Sequence, residues 1–209
     1  MLTHLLGLLL ALGLAGCTRS EPPADLTIIN GAEPESLDPA IITGQPDMRV
    51  VKCLYEGLTR LEGTNATPVP ALADRWDISP GGTAYTFHLR SNAVWSTGQP
   101  ITAEDVVWSW RRALDPGTAA DYAGQLYFIK HAEEYNTGRT NAATGKPFTA
   151  EDVAVRALDP STVRVELIAP TAFFLDLVAF PTMAVVPRGW IEKHGDRWLM
   201  TQPLPVNGP

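Results

Sequence analysis

Residues 85–112, YTFHLRSNAVWSTGQPITAEDVVWSWRR, pass from one hydrophobic period to another within a single stretch. Tyr85, Phe87 and Leu89 alternate with Thr86, His88 and Arg90, the period of a strand with one face buried and one wet. Gly98 and Pro100 then break the chain. Thr102 stands three residues before Asp105, so its hydroxyl can accept from a free backbone N–H while the carboxylate reaches back, and a helix is expected to start there. Val106, Val107, Trp110, Ala113 and Leu114 fall on one stripe of that helix, with Arg111 and Arg112 near its C-terminal pole, where cations suit the dipole. Asp115-Pro116-Gly117 ends it.

Outward from this block the chain keeps alternating. Leu26–Ile29 reads as a short buried strand, and Met48, Val51, Leu54, Tyr55 and Leu58 mark one face of a helix over Asp47–Leu58. Leu58–Leu61 reads as a strand, Pro68–Trp76 as an extended stretch ending in a short helix or turn, and Ser79–Thr83 as a turn. A helix is predicted around Ile129–Tyr135, followed by exposed turns over Asn136–Pro147. Thr149-Ala150-Glu151-Asp152-Val153 repeats the capping string of Thr102–Val106, yet the alternation around it, with turn residues at Asp159-Pro160-Ser161-Thr162, predicts a hairpin instead of a helix. Thr171–Val178 reads as a short helix, Met183–Val186 as a strand and Trp190–His194 as one or two helical turns. Strands and helices without a strict strand–helix rhythm predict an α/β fold on a mixed sheet.

Composition excludes several functions. A net charge of −7 with scattered basic residues offers no phosphate-tracking stripe, so no nucleic-acid partner is expected. No Gly-x-Ser-x-Gly elbow, His-Glu-x-x-His, phosphate-cradling Gly-rich loop or Cys-x-x-Cys is present, so neither a catalytic nor a metal centre is expected. The histidines are isolated, His88 on the wet strand face and His131 and His194 on expected helix surfaces. Trp76, Trp95, Trp108, Trp110, Trp190 and Trp198 are read as packing residues, with Trp108 half exposed.

The N-terminus carries its own signal. Leu5–Leu14 is an apolar run too short for a membrane span, which needs about 20 residues, and it reads as the core of a signal peptide over 1–16. Leu14-Ala15-Gly16-Cys17 resembles a lipobox, making Cys17 the expected acylated first residue and 17–24 a polar, Pro-bearing tether. The body is therefore expected outside the cytoplasm, periplasmic or at the cell surface, held by a lipid anchor. Cys53 alone remains, so no disulfide framework arises, and a half-buried helix thiol is expected.

The strings themselves are more specific than their periods. FHLR, the Trp95-Ser96-x-Gly98 turn, Pro100-x-Thr102-Ala103-x-Asp105, Trp108-Ser109-Trp110 and Asp115-Pro116 resemble the solute-binding component of oligopeptide and dipeptide ABC importers, the bacterial family 5 solute-binding proteins. Ser36-Leu37-Asp38-Pro39, Leu54-Tyr55-Glu56-Gly57-Leu58, Pro70-Ala71-Leu72-Ala73 with Trp76, and Asn207-Gly208-Pro209 match in the same order. The resemblance implies a mixed-sheet lobe of a type II periplasmic-binding-protein fold. Residues 25–58 would open lobe I, 59–181 form an inserted subdomain and 182–209 return to lobe I. Family members continue well past such a point into a second lobe, so only the N-terminal portion is expected here. It further implies a monomer without cofactor that hands oligopeptides to a membrane permease, and places Thr43, Gly44, Gln45 and Tyr122 at the ligand. A non-binding lipoprotein remnant, or a binder of a nickel complex or haem, is the alternative.

Overall fold

The structure, a computed structural model, describes residues 24–208. The expected signal peptide, Cys17 and all of the tether but its last residue lie outside the described residues. In chain order the elements are α1 (Gln45–Leu54), β1 (Thr59–Glu62), β2 (Thr67–Pro70), β3 (Ala73–Ile78), β4 (Ala84–Leu89), α2 (Ala103–Leu114), α3 (Ala132–Asn136), β5 (Val155–Asp159), β6 (Thr162–Glu166), α4 (Phe174–Val178) and α5 (Arg188–His194).

The expected central strand is β4, and it lies inside an antiparallel sheet of order β3-β4-β6-β5. Its pleat sorts the sheet into two faces. Phe87 pairs with Trp76 and Val163, and Tyr85 with Val165, all on the inner side, while Thr86 pairs with Asp77 and Arg164 on the outer side. The capping box forms as its spacing demands: Asp105 N donates to Thr102 Oγ1 (3.3 Å), and Thr102 N donates to Asp105 Oδ2 (2.8 Å). The stripe of α2 then covers the inner face, with Val106, Trp110 and Leu114 fully buried. The Trp110 indole N–H donates to Met183 O (2.8 Å), which meets the polar requirement of a ring sealed from water.

The hairpin β5–β6 takes the place of a second capped helix. Thr149 N and Thr149 Oγ1 both donate to Asp152 Oδ2 (2.7 and 3.0 Å), so the capping string closes a turn, and Val155 and Val165 run on into the ladder. β1 and β2 form a separate two-stranded ribbon.

Several expectations are corrected. Helix α1 stops at Leu54, short of Leu58, because tertiary pairing claims the next residues: Glu56 N donates to Asn207 Oδ1 (2.8 Å), Val185 N to Glu56 O (3.0 Å) and Leu72 N to Gly57 O (3.2 Å). Gly57 is required there, since a Cβ would come within 2.5 Å of Val178 O. Pro68–Trp76 ends in no helix or turn; it crosses from β2 into β3, whose mostly exposed pattern hides it from a hydrophobicity scan. Ala184–Val186 is buried and extended but belongs to no ladder, held instead by Asn207 Nδ2 donating to Val185 O (3.1 Å). Cys53 is exposed, its Sγ donating to Arg49 O (3.3 Å), because the apolar face of α1 turns elsewhere. His131 is no helix-surface residue: it precedes α3 at φ 66° with its ring stacked on Phe148. Leu26–Ile29 is neither strand nor buried; Leu26, Ile28 and Ile29 are 75%, 72% and 88% exposed.

Candidate functional site

The first candidate segment is the loop ahead of α1. Ile42 is buried and anchors it, while Thr43 and Gln45 on either side of Gly44 are exposed. Gly44 is the N-cap, and its own carbonyl accepts from Met48 N (3.1 Å). A Cβ at Gly44 would fall 2.3 Å from Asp47 Oδ2. That carboxylate is fixed in turn, because Asp47 Oδ1 accepts from Glu35 N (2.6 Å) and Ser36 N (3.3 Å) and ties the N-terminal segment to the helix. The glycine thus has a structural cause of its own. Among the described residues the N–H groups of Thr43 and Gly44 and the carbonyl of Thr43 have no hydrogen-bond partner, so this loop presents free main-chain donors and an acceptor to the surface.

Tyr122 sits at the other end of the block that starts with α2. Asp115 closes that helix, and its Oδ1 accepts from Gly117 N (2.7 Å), turning the chain toward Tyr122. Half-buried, the Tyr122 ring meets Phe180 edge-on at 5.2 Å, a partner no sequence period identifies. No hydrogen bond or ring contact joins Tyr122 to Thr43–Gln45 among the described residues.

What links the two segments is an ion pair. Asp38, almost wholly buried, receives Arg112 Nη1 on Oδ1 (3.0 Å) and Nη2 on Oδ2 (2.5 Å), and Oδ1 also accepts from Ala40 N (3.0 Å). A bidentate guanidinium fixes orientation as well as distance, so the loop Ser36–Ala40 is locked to the C-terminal turn of α2. A cleft of about 510 Å³ opens over this pair, lined by Ser36, Ile41, Thr118 and Trp198 among others. Behind Asp38 lies Tyr55, whose ring tilts against Trp198 at 6.1 Å and whose buried hydroxyl has no partner. Burial first, and the Asp38 charge second, raise the Tyr55 phenol well above its ordinary range. The sequence assigns Arg112 only to the helix dipole, and no local pattern pairs it with Asp38, 74 residues away.

A family described as bacterial extracellular solute-binding proteins, family 5 Middle, matches residues 67–209. The chain belongs to that family. Its strand–turn–helix block and mixed α/β order are the lobe architecture of the periplasmic-binding-protein fold expected from the sequence, with every strand pair among the described residues antiparallel where a mixed sheet is expected. The periplasmic oligopeptide-binding protein OppA of Escherichia coli K12 is 38% identical over 196 residues, 93% of this chain and 34% of that protein. The probable deoxycholate-binding periplasmic protein YgiS of the same organism is 38% identical over 179 residues, 86% of this chain and 32% of its own length. Among solved structures, Haemophilus influenzae OppA in complex with RPPGFSPFR superposes with a TM-score of 0.78 at 34% identity, covering 86% of this chain and 34% of that one. The chain thus spans about a third of the length of the relatives it matches. Family 5 proteins are solute-binding components of transport systems, and the relatives named are periplasmic.

Proposed function

We propose that this chain forms one wall of the ligand cleft of a peptide-importing solute-binding protein. The observation that carries the proposal is the row of unpartnered main-chain groups at Thr43 and Gly44, exposed on a loop that Asp47 and the Asp38–Arg112 pair hold rigid. Free N–H and C=O groups on an ordered segment are what an extended peptide uses when it adds as a strand, independently of its side chains. Thr43, Gly44 and Gln45 supply that main-chain edge in the proposal, and Tyr122 offers an aromatic surface for one peptide side chain. The likeness to proteins named for oligopeptide binding, one solved with a bound nonapeptide sequence, supports the cargo class.

The finer assignments belong to the same proposal. Residues 59–181 form the inserted subdomain between the two parts of lobe I. Acylated Cys17 tethers the body at a membrane surface, and an ABC permease receives the cargo. A second cargo class has one observation behind it, the equal identity to a protein named as probably deoxycholate-binding, and a steroid acid would use the apolar wall of Ile41 and Trp198 instead of the main-chain edge. Among the described residues no group of three His, Cys, Asp or Glu side chains is placed to hold a metal ion.

The test is a calorimetric titration of a chimera in which this chain replaces the matching third of E. coli OppA. Tri- to nonapeptides are expected to bind, and Tyr122→Ala to weaken them about 5- to 30-fold, the worth of roughly 1–2 kcal/mol of aromatic contact. The chain by itself is expected to give no heat at peptide concentrations up to about 1 mM, since one wall cannot enclose a ligand. Binding of deoxycholate but of no peptide by the chimera would move the protein to the second cargo class.

A further inference from the structure

The pair Asn-Gly occurs twice in the chain, at Asn30-Gly31 and Asn207-Gly208. With no side chain on the second residue, its main-chain nitrogen is free to approach the asparagine's own Cγ. The two copies differ in every feature that governs such an attack. Asn207 is buried and held at both ends, Oδ1 accepting from Glu56 N (2.8 Å) and Nδ2 donating to Val185 O (3.1 Å). The attacking nitrogen, Gly208 N, already donates to Leu54 O (2.8 Å), and a Cβ on that glycine would fall 2.3 Å from Cys53 O. That copy is locked.

Asn30-Gly31 is open. Gly31 is exposed at φ 88°, nothing beyond its chain neighbours lies within 4 Å of where its Cβ would stand, and its N–H has no partner among the described residues. Asn30 Oδ1 has no partner either, so the amide is held through Nδ2 alone, which donates to Ala32 O (3.1 Å) and Pro46 O (3.2 Å). Arg49 then adds a charge where the reaction needs one. Its Nη1 donates to Asn30 O (3.0 Å), the carbonyl of the same peptide group whose nitrogen must attack. When that nitrogen gives up its proton, resonance shares the negative charge with this oxygen, so a guanidinium placed on it makes the nucleophile easier to form. No carboxylate among the described residues pairs with Arg49.

We propose that Asn30-Gly31 is a self-modification site, at which Arg49 promotes deamidation. Gly31 N passes its proton to solvent and bonds to Asn30 Cγ, and the Cγ–Nδ2 bond breaks as Nδ2 regains a proton from water and leaves as ammonia. One water then opens the five-membered imide at either carbonyl, giving aspartate or isoaspartate. Water is the only co-reactant, and nothing is oxidised or reduced. The product is a carboxylate, which accepts hydrogen bonds and donates none, set against the carbonyls of Ala32 and Pro46. The tie between the N-terminal segment and the first turn of α1 at Pro46 is thereby lost, while Asp47 keeps its hold on Glu35 and Ser36. The inference rests on neither the family nor the peptide proposal.

Peptide mapping by mass spectrometry of the full chain, incubated at neutral pH, reads both sites at once. In denaturant the two pairs are expected to convert at similar rates. In the folded chain Asn30 is expected to go on converting, and Asn207 to slow by at least about 10-fold, since its reaction waits for the fold to open. Similar rates at the two sites in the folded chain, fast or slow, overturn the proposal. Arg49→Met tests the guanidinium, because a merely structural contact predicts the opposite sign. Loss of a promoting charge slows Asn30 by about 3- to 10-fold, less than a sealed donor would give because Arg49 faces water, whereas loss of a pin would free the loop and speed conversion. Arg49→Lys, which keeps the charge, is expected to retain most of the rate. Unchanged or faster conversion in Arg49→Met overturns the role of Arg49. Salt checks that role without a substitution: in the parent chain added salt is expected to slow Asn30 and not Asn207, and a salt-indifferent Asn30 contradicts it.

Discussion

Arg112 and Tyr55, the two groups beside buried Asp38, are expected to respond to truncation in opposite senses. Replacing Arg112 by Ala leaves a nearly sealed carboxylate without its bidentate partner, and such removals cost about 3–5 kcal/mol. Denaturant melts of Arg112→Ala are expected to show that loss, while Arg75→Ala, whose partner Asp74 is half exposed, should cost under about 1 kcal/mol. Tyr55 behaves in the opposite sense. Its hydroxyl is buried without a partner, so Tyr55→Phe removes an uncompensated polar group and is expected to stabilise by about 1 kcal/mol. The same groups give the fold an alkaline limit. Burial, then Asp115, push the Tyr135 phenol up to about 12, and Tyr55 is raised further. Below a pH of about 10 these phenols are protonated in both folded and unfolded chains and add no pH dependence to stability. Above it the unfolded chain ionises first, so stability falls as pH rises through about 10 to 12. Melting temperatures measured across that window should drop, and drop less in Tyr55→Phe.

At the scale of elements, one pentapeptide occurs twice with two outcomes. Thr-Ala-Glu-Asp-Val caps α2 at Thr102 and closes a turn before β5 at Thr149. In both copies Thr N and Thr Oγ1 donate to the Asp carboxylate, but only Thr102 Oγ1 also accepts from its Asp N–H, while Asp152 N donates to Thr149 O. The chain that follows differs more. After Asp105 an apolar stripe at helical spacing finds the inner face of the sheet, whereas after Asp152 the alternating Val153, Val155 and Ala157 find β6. Thr102→Ala is expected to cost about 1 kcal/mol and to lower helical circular dichroism before global melting. Thr149→Ala should leave the helical signal unchanged. The same logic shows what the sequence could disclose. Period two at Tyr85–Leu89, the hairpin at Asp159–Thr162 and the stripe of α2 were legible because side-chain spacing alone carries them. The end of α1 was not, because Asn207 and Val185 claim Glu56 from well over 100 residues away each. β3 was missed because an edge strand wet on most of its side chains has no buried period to display.

The molecule as a whole is held by one continuous core running from α1 through the sheet to α5. The candidate site was legible only in part. Resemblance named Thr43–Gln45 and Tyr122, and the structure adds the reasons those segments are stiff, namely Asp47, the Asp38–Arg112 pair and the Phe180 ring. Of these partners only Asp47 lies close in sequence to the segment it supports; Arg112 stands 74 residues from Asp38 and Phe180 likewise far from Tyr122, separations that no local pattern spans. The central claim is spatial: an extended peptide lies along the loop at Thr43 and within reach of Tyr122. The most direct measurement is photo-cross-linking of a peptide carrying a benzophenone side chain to the OppA chimera, with the linked residues mapped by mass spectrometry. The account expects adducts in the segments around Thr43–Gln45 and Tyr122, competed away by unlabelled peptide. Competed adducts confined to other surfaces, such as the outer sheet face at Arg156 and Arg164, would contradict it.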